Sequence, residues 1–143
     1  MTIVTYRDGV MAADTGAFDS FDCYTGKVRK LLHHKSGALI GVCGTMSLAT
    51  KYLAAVFKTN NPLEVDIPFD DNGAVLIVVG PDEVYHASER GHVQLFAPFY
   101  AMGSGAPMAL GAMHAGAGPV RAAEIACLVD AHCRGPIETI GEN

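Results

Sequence analysis

Apolar and polar positions first alternate in short runs and later give way to helical stripes. Ile3 to Tyr6 and Val10 to Ala13 are β-prone runs split by Arg7-Asp8-Gly9. Asp-Gly between two such runs is a strong hairpin signal, because glycine reaches positive φ without penalty. With the turn centred on Asp8, Thr2 is expected opposite Asp14. Thr15 to Gly26 has no clear period and contains Gly16, Asp19, Ser20 and Asp22, so it reads as a loop. Lys27 to His34 and Ala38 to Cys43, joined by Lys35-Ser36-Gly37, predict a second hairpin. A turn centred on Ser36 pairs Lys30 with Val42 and brings Lys30 near the Cys43-Gly44 end. Val28 and Leu32 share its strand face. A lysine so placed either snorkels to solvent or is buried against an anion.

Thr45 to Lys58 carries a helical stripe of Met46, Leu48, Ala49, Leu53, Val56 and Phe57, stopped by Asn60-Asn61-Pro62. From Leu63 to Asn72 there is no helical period. Leu63, Val65, Ile67 and Phe69 alternate with other residues there, as in an ordered, extended chain laid with one face on a surface, which predicts their burial. Ala74 to Gly80 is a nearly continuous apolar run, expected as a strand buried on both faces. Val84 to Ser88, His92 to Phe96 and Tyr100 to Gly103 complete this group of strands. Helices follow over Met108 to Ala115 and from Gly118-Pro119 to about Cys133, and Ile137 to Ile140 could return as a strand. Strands followed by helices indicate α+β layering rather than a βαβ sheet. At 143 residues, with no visible repeat or linker, one domain over residues 1–143 is expected.

Composition narrows the function classes. The formal net charge is −5 and no Lys/Arg cluster exists, which argues against nucleic acid or an anionic membrane as partner. No apolar run approaches the length of a membrane span, and the N-terminus lacks a basic segment followed by an apolar one, so a cytoplasmic location is expected. Cys23, Cys43, Cys127 and Cys133 have no C-x-x-C spacing and read as small buried hydrophobes. Only His33 and His34 are adjacent among the histidines, and strand neighbours point to opposite faces. No metal or organic cofactor is expected.

Candidate chemistry gathers at the N-terminal strand end. Removing Met1 would leave a free α-amine on Thr2, and so a hydroxyl nucleophile with a built-in base. Asp14 ends one strand and Lys30 is semi-buried on another. A charge pair between them near Thr2 can position the lysine's field at the hydroxyl and depress its pKa. Gly44 ends the strand that pairs with Lys30, where a backbone N–H could bond a tetrahedral oxyanion. Gly103-Ser104-Gly105 joins a strand to a helix. It reads as a tight corner ahead of a phosphate loop, since the G-x-x-G spacing is missing, or as a place for Ser104 to bond the N-terminal amine. Asp130 is expected in the last turn of a helix, where it opposes the macrodipole, so an outside partner is expected.

The stretches Thr2-Ile3-Val4, Asp8-Gly9-Val10-Met11-Ala12-Ala13-Asp14, Gly26-Lys27-Val28-Arg29-Lys30-Leu31, Gly41-Val42-Cys43-Gly44-Thr45, Met102-Gly103-Ser104-Gly105-Ala106 and Asp130-Ala131-His132-Cys133, in that order and spacing, resemble proteasome β-type subunits and the bacterial HslV-like peptidases. The resemblance implies an α+β, four-layer αββα sandwich of two antiparallel sheets, the N-terminal nucleophile hydrolase fold. One helix of the usual helical layer would be shortened or missing, since only Thr45 to Lys58 fits between the strands. It also implies a threonine peptidase with Thr2 as nucleophile, Asp14 and Lys30 as activating pair, Gly44 as oxyanion donor, and Ser104 and Asp130 supporting the amine. Cys133 stands where the family usually has serine. The implied partners are further copies of the chain in a ring, an unfoldase ATPase, and peptide or unfolded protein as substrate. A small-amide amidase and a catalytically silent, ring-forming subunit are the alternatives.

Overall fold

The computed structural model describes residues 2–65 and 73–142. Strands β1 (Val4–Arg7) and β2 (Val10–Ala13) form the expected hairpin, followed by β3 (Gly16–Phe18), β4 (Tyr24–Lys27), β5 (Leu31–His33) and β6 (Leu39–Cys43). Helix α1 (Met46–Lys58) leads through a 3-10 turn at Pro62–Glu64 toward β7 (Ala74–Gly80), β8 (Glu83–Ser88), β9 (Gly91–Leu95) and β10 (Phe99–Met102). Helices α2 (Ala106–His114) and α3 (Pro119–Val129) and strand β11 (Glu138–Gly141) close the chain. The strands form a four-stranded sheet in the order β10-β1-β2-β11, a five-stranded sheet β5 through β9, and the small β3-β4 pair, all antiparallel.

Alternation along the strands assembles the layers. Val4, Tyr6, Met11 and Ala13 face Leu31, Leu39, Cys43 and Leu76 across the gap between the two large sheets. Their neighbours Ile3 and Ala12 point the other way, onto Ala109 and Met113 of α2 and the alanines of α3. Ile40, Val42, Val75 and Ile77 face outward beneath Ala49, Tyr52 and Val56 of α1. The result is the αββα sandwich. Gly41 lets the sheets approach, because a Cβ there would lie 2.5 Å from Val4 Cγ1. The Arg7 guanidinium bonds the carbonyls of Met113 and Ala117 at 2.9 and 3.1 Å, satisfying acceptors at the end of α2. Thr45 caps α1, its hydroxyl accepting from Leu48 N.

Several expectations need correction. The first hairpin is one residue out of the expected register: Val4 faces Ala13 and Arg7 faces Val10. Asp8 and Gly9 both take positive φ, 50° and 85°, so the turn is a two-residue loop and not a three-residue one centred on Asp8. Asp14 therefore lies beside Ile3, its N–H bonded to the Ile3 carbonyl at 3.2 Å, and not opposite Thr2. The expected loop over Thr15 to Gly26 contains the β3-β4 hairpin, and Lys27 belongs to β4 rather than to the strand of Lys30. Turn residues hid the hairpin's short strands. Helix α2 starts two residues earlier than expected, with Pro107 in its first turn, and α3 ends at Val129 rather than near Cys133. Asp130 is consequently the extended C-cap of α3.

The register centred on Ser36 holds: Leu31 faces Gly41, and Val42 N donates to the Lys30 carbonyl at 2.9 Å. Leu63 and Val65 pack half-buried against the α1 layer, but through the 3-10 turn and not as an extended run. Ile67 and Phe69 lie outside the described residues. Between β6 and β7 the described residues hold one α-helix. No helix among them is long and apolar enough to cross a membrane.

Candidate active site

Thr2 enters β1 at the edge of the gap between the sheets, and only 2% of it is exposed. Its carbonyl lies against Gly103 (φ 106°), where any Cβ would overlap the Thr2 oxygen, so only glycine fits. Gly105 N donates to the same oxygen at 3.3 Å, and Thr2 N donates to Ser104 Oγ at 3.3 Å. The Gly103-Ser104-Gly105 corner thus grips the backbone of Thr2 on both sides. It is the tight corner anticipated from the sequence, with Ser104 at the nitrogen.

Asp14 and Lys30 meet beneath this strand end. Lys30 Nζ lies 2.9 Å from Asp14 Oδ1, with the lysine side chain 5% exposed and the carboxylate fully buried. Lys30 is therefore the buried alternative, not a snorkelling residue. A charge pair out of water persists only where further hydrogen bonds complete it. Asp14 Oδ1 also accepts from Ile3 N at 3.1 Å, and Oδ2 from Arg134 N at 3.1 Å. Arg134 O in turn accepts from Thr15 N and Gly16 N. The carboxylate is fixed, and it fixes the lysine.

Thr2, Lys30 and Gly44 line one cleft of about 410 Å³, whose walls come from β3, the chain before β5 and the start of α1. Gly44 is half-buried at φ 130°, immediately after β6. The six sequence-predicted residues thus fall around one strand end. Asp130 stands behind Ser104. Burial raises its carboxyl pKa, but hydrogen bonds from Ser104, the His132 N–H and Cys133 outweigh that and leave it below its ordinary 3.8. The acceptor at the end of α3 is in this way satisfied by its surroundings.

The nearby cysteines are inert thiols. Burial pushes Cys43 and Cys133 up to about 12 and Cys127 up to about 11, so none presents a thiolate at neutral pH. Cys133 Sγ lies 3.9 Å from Ser104 Oγ, a long and weak contact. Among the described residues no three His, Cys, Asp or Glu side chains are placed to hold a metal.

Two participants were not singled out as site residues from the sequence. The Arg134 backbone reaches Asp14 across 120 residues, while its guanidinium sits 3.9 Å from the centre of the Tyr24 ring. His132 stands between two carboxylates, Nε2 3.3 Å from Asp22 and Nδ1 3.8 Å from Asp130, with its ring edge-on to Phe18. Both tie the β3-β4 hairpin to the site.

No family model and no curated protein matches the sequence. Solved structures do share its fold. BPH from Thiobacillus denitrificans is 18% identical with a TM-score of 0.73, over 99% of this chain and 96% of that one. The same protein in complex with epoxomicin gives 0.72 at 18% identity, over 99% and 97%. Eukaryotic HslV from Trypanosoma brucei gives 0.69 at 14% identity, over 99% and 100%. The Anbu complex of Pseudomonas aeruginosa, solved as a helical assembly, gives 0.70 at 9% identity, over 99% and 81%. The chain has the proteasome-like, N-terminal nucleophile hydrolase fold of these proteins.

Proposed function

We propose that the chain is an N-terminal threonine peptidase in which Thr2, freed of residue 1, attacks peptide carbonyls. One observation carries the reading: a fully compensated Lys30–Asp14 ion pair, buried beneath the strand end of Thr2, at a cleft that Thr2, Lys30 and Gly44 line together. A cation brought out of water beside a hydroxyl favours the alkoxide. The Thr2 hydroxyl adds to the carbonyl carbon and its proton passes to the α-amine. The Gly44 N–H bonds the resulting oxyanion. Collapse breaks the C–N bond, and the leaving amine takes the proton. Water then adds to the ester, and its cleavage returns the threonine hydroxyl and releases the acid. Ser104 holds the threonine nitrogen, and ionised Asp130 supports Ser104 from behind.

The resemblance and the fold neighbours support a self-compartmentalised peptidase, one domain per subunit. Copies of the chain would assemble with the clefts inside and receive unfolded chains, with an unfoldase ATPase as feeder, in the cytoplasm. The epoxomicin complex of BPH favours this reading over a small-amide amidase on the same fold, and the helical assembly of Anbu supports self-association.

Epoxomicin tests it directly, because an epoxyketone needs both the free threonine amine and its hydroxyl. Intact-mass measurement should find residue 1 absent and one inhibitor added per chain, at Thr2. Thr2→Ala should lose both the label and peptide hydrolysis while keeping the fold. A protein that lacks residue 1 yet stays unlabelled would be a silent structural subunit. Cleavage of small amides but not of peptides would make it an amidase.

A further inference from the structure

Beside the Thr2 cleft lies a second depression of about 490 Å³. Ala17, Val28, Met46 and Ser47 line both, so the two share one wall. Their chemistry differs. Around Thr2 the walls are mainly apolar, with Val28, Val42, Met46 and Ala49 beside a polar margin of Ser20, Thr45 and Ser47. The charges there are occupied: Lys30 is paired with Asp14, and Asp19 accepts from the Phe21 and Cys23 N–H groups. The second depression instead has hydroxyls from Thr25 and Thr50 and two exposed lysines, Lys27 on β4 and Lys51 on α1. Neither lysine makes an ion pair among the described residues, although the chain has 15 acidic residues against 10 basic ones. Two cations from different elements, neither ion-paired among the described residues and both on one concave surface, suit an anionic ligand.

An extended peptide repeats its side-chain direction every second residue, roughly 7 Å apart. A peptide crossing the shared wall with one side chain in the Thr2 cleft would set its second neighbour over the adjoining depression. Building on the threonine-peptidase reading, we infer that the protein selects peptides with an apolar side chain at the residue whose carbonyl is attacked and a carboxylate two residues away, held by Lys27 and Lys51. The apolar residue packs on the mainly apolar walls of the cleft, where a charge would find no free partner among the described residues. The carboxylate remains in a wet, cationic groove, where attraction is salt-dependent.

The test uses fluorescein-labelled nonapeptides with a central leucine and Asp, Ala or Lys at the positions two residues to either side. Binding to the Thr2→Ala protein is followed by anisotropy, so turnover does not enter. Asp at one of those positions should bind about fivefold to tenfold tighter than Lys, which corresponds to roughly one or two surface charge contacts. Raising the salt should erase the difference, and K27E/K51E should reverse it. Equal affinities, an order unchanged in K27E/K51E, or no binding by any of the peptides overturns the acidic subsite. Epoxomicin labelling of the wild-type protein reports on Thr2 independently. Labelling without charge preference sinks the subsite alone, whereas charge preference without labelling keeps the subsite and removes the peptidase.

Discussion

The β1-β2 hairpin carries a carboxylate at each end, and the two could hardly differ more. Asp8, at the turn, is 91% exposed, and its nearest cation is Arg7 at 3.8 Å. Asp14, at the open end, is fully buried and holds Lys30 and the N–H groups of Ile3 and Arg134. The turn end also has the larger hollow, about 630 Å³, ringed by Asp8, Asp82 and Glu142 around Tyr6 and Tyr100. The larger hollow is thus the one with the solvated acids. Water solvates the acids at the turn at little cost, so they need no partner. Burying Asp14 required a matching cation and two main-chain donors, which the fold brings from three separate segments.

The contrast breaks most severely at Lys30. Lys30→Ala leaves Asp14 charged and unmatched, which should cost about 3–5 kcal/mol in urea unfolding and abolish epoxomicin labelling. Combining Lys30→Met with Asp14→Leu should recover part of that stability but no activity. Recovery stays partial because the Ile3 and Arg134 N–H groups lose their acceptor, at about 1–3 kcal/mol for each buried one. Full recovery would show that those bonds carry nothing, and strict additivity in the double-mutant cycle that the pair does not interact.

Acid sharpens the same comparison through Asp130. Its folded pKa is depressed, so it contributes stability above its unfolded value, and that contribution is lost as pH falls through the lower folded value. The wild type should thus lose stability as pH falls below the ordinary 3.8, and Asp130→Asn should flatten that part of the profile. An unchanged acid limb in thermal melts at stepped pH would contradict the network around Ser104.

Cys133→Ser should have a smaller effect, in the favourable direction. A hydroxyl donates a shorter and stronger bond than the protonated thiol now 3.9 Å from Ser104. Turnover should rise a few-fold with KM little changed. A fall in turnover would mean that the weak contact is the useful one. The smallest effect belongs to Asp8. Asp8→Asn keeps a side chain that tolerates positive φ and should shift stability by no more than about 0.5 kcal/mol. A loss comparable to that at Lys30 would erase the distinction between the two ends.

What the chain revealed by itself follows from local periodicity and short-range chemistry. The continuous run Ala74 to Gly80 became β7 with its bounds unchanged, and the stripe after Thr45 became α1 with Thr45 as its cap. Centring the second turn on Ser36 placed Lys30 beside Val42, because one residue of slip there would send every buried side chain to the wrong face. The first hairpin escaped the same treatment. Val-Met-Ala-Ala is apolar on both faces, so the pattern could not fix its register, and the two-residue turn did. The β3-β4 hairpin was invisible for a related reason: most of its strand residues are exposed, small or polar, and carry no alternation.

The site divides in the same way. Residue types and spacing grouped Thr2, Asp14, Lys30 and Gly44 and left Ser104 open between a corner residue and an amine partner, whereas Asp130 joined them only through the resemblance. Only the tertiary structure decided that Lys30 is buried and not in water, and that Asp14 is satisfied by Arg134, 120 residues away. It also decided that His132 reaches across to Asp22 in the β3-β4 loop. A sequence states which groups can carry charge and which faces are apolar. Whether a charge is desolvated, and what then compensates it, depends on which distant segments close over it, and that is determined only when the sheets pack.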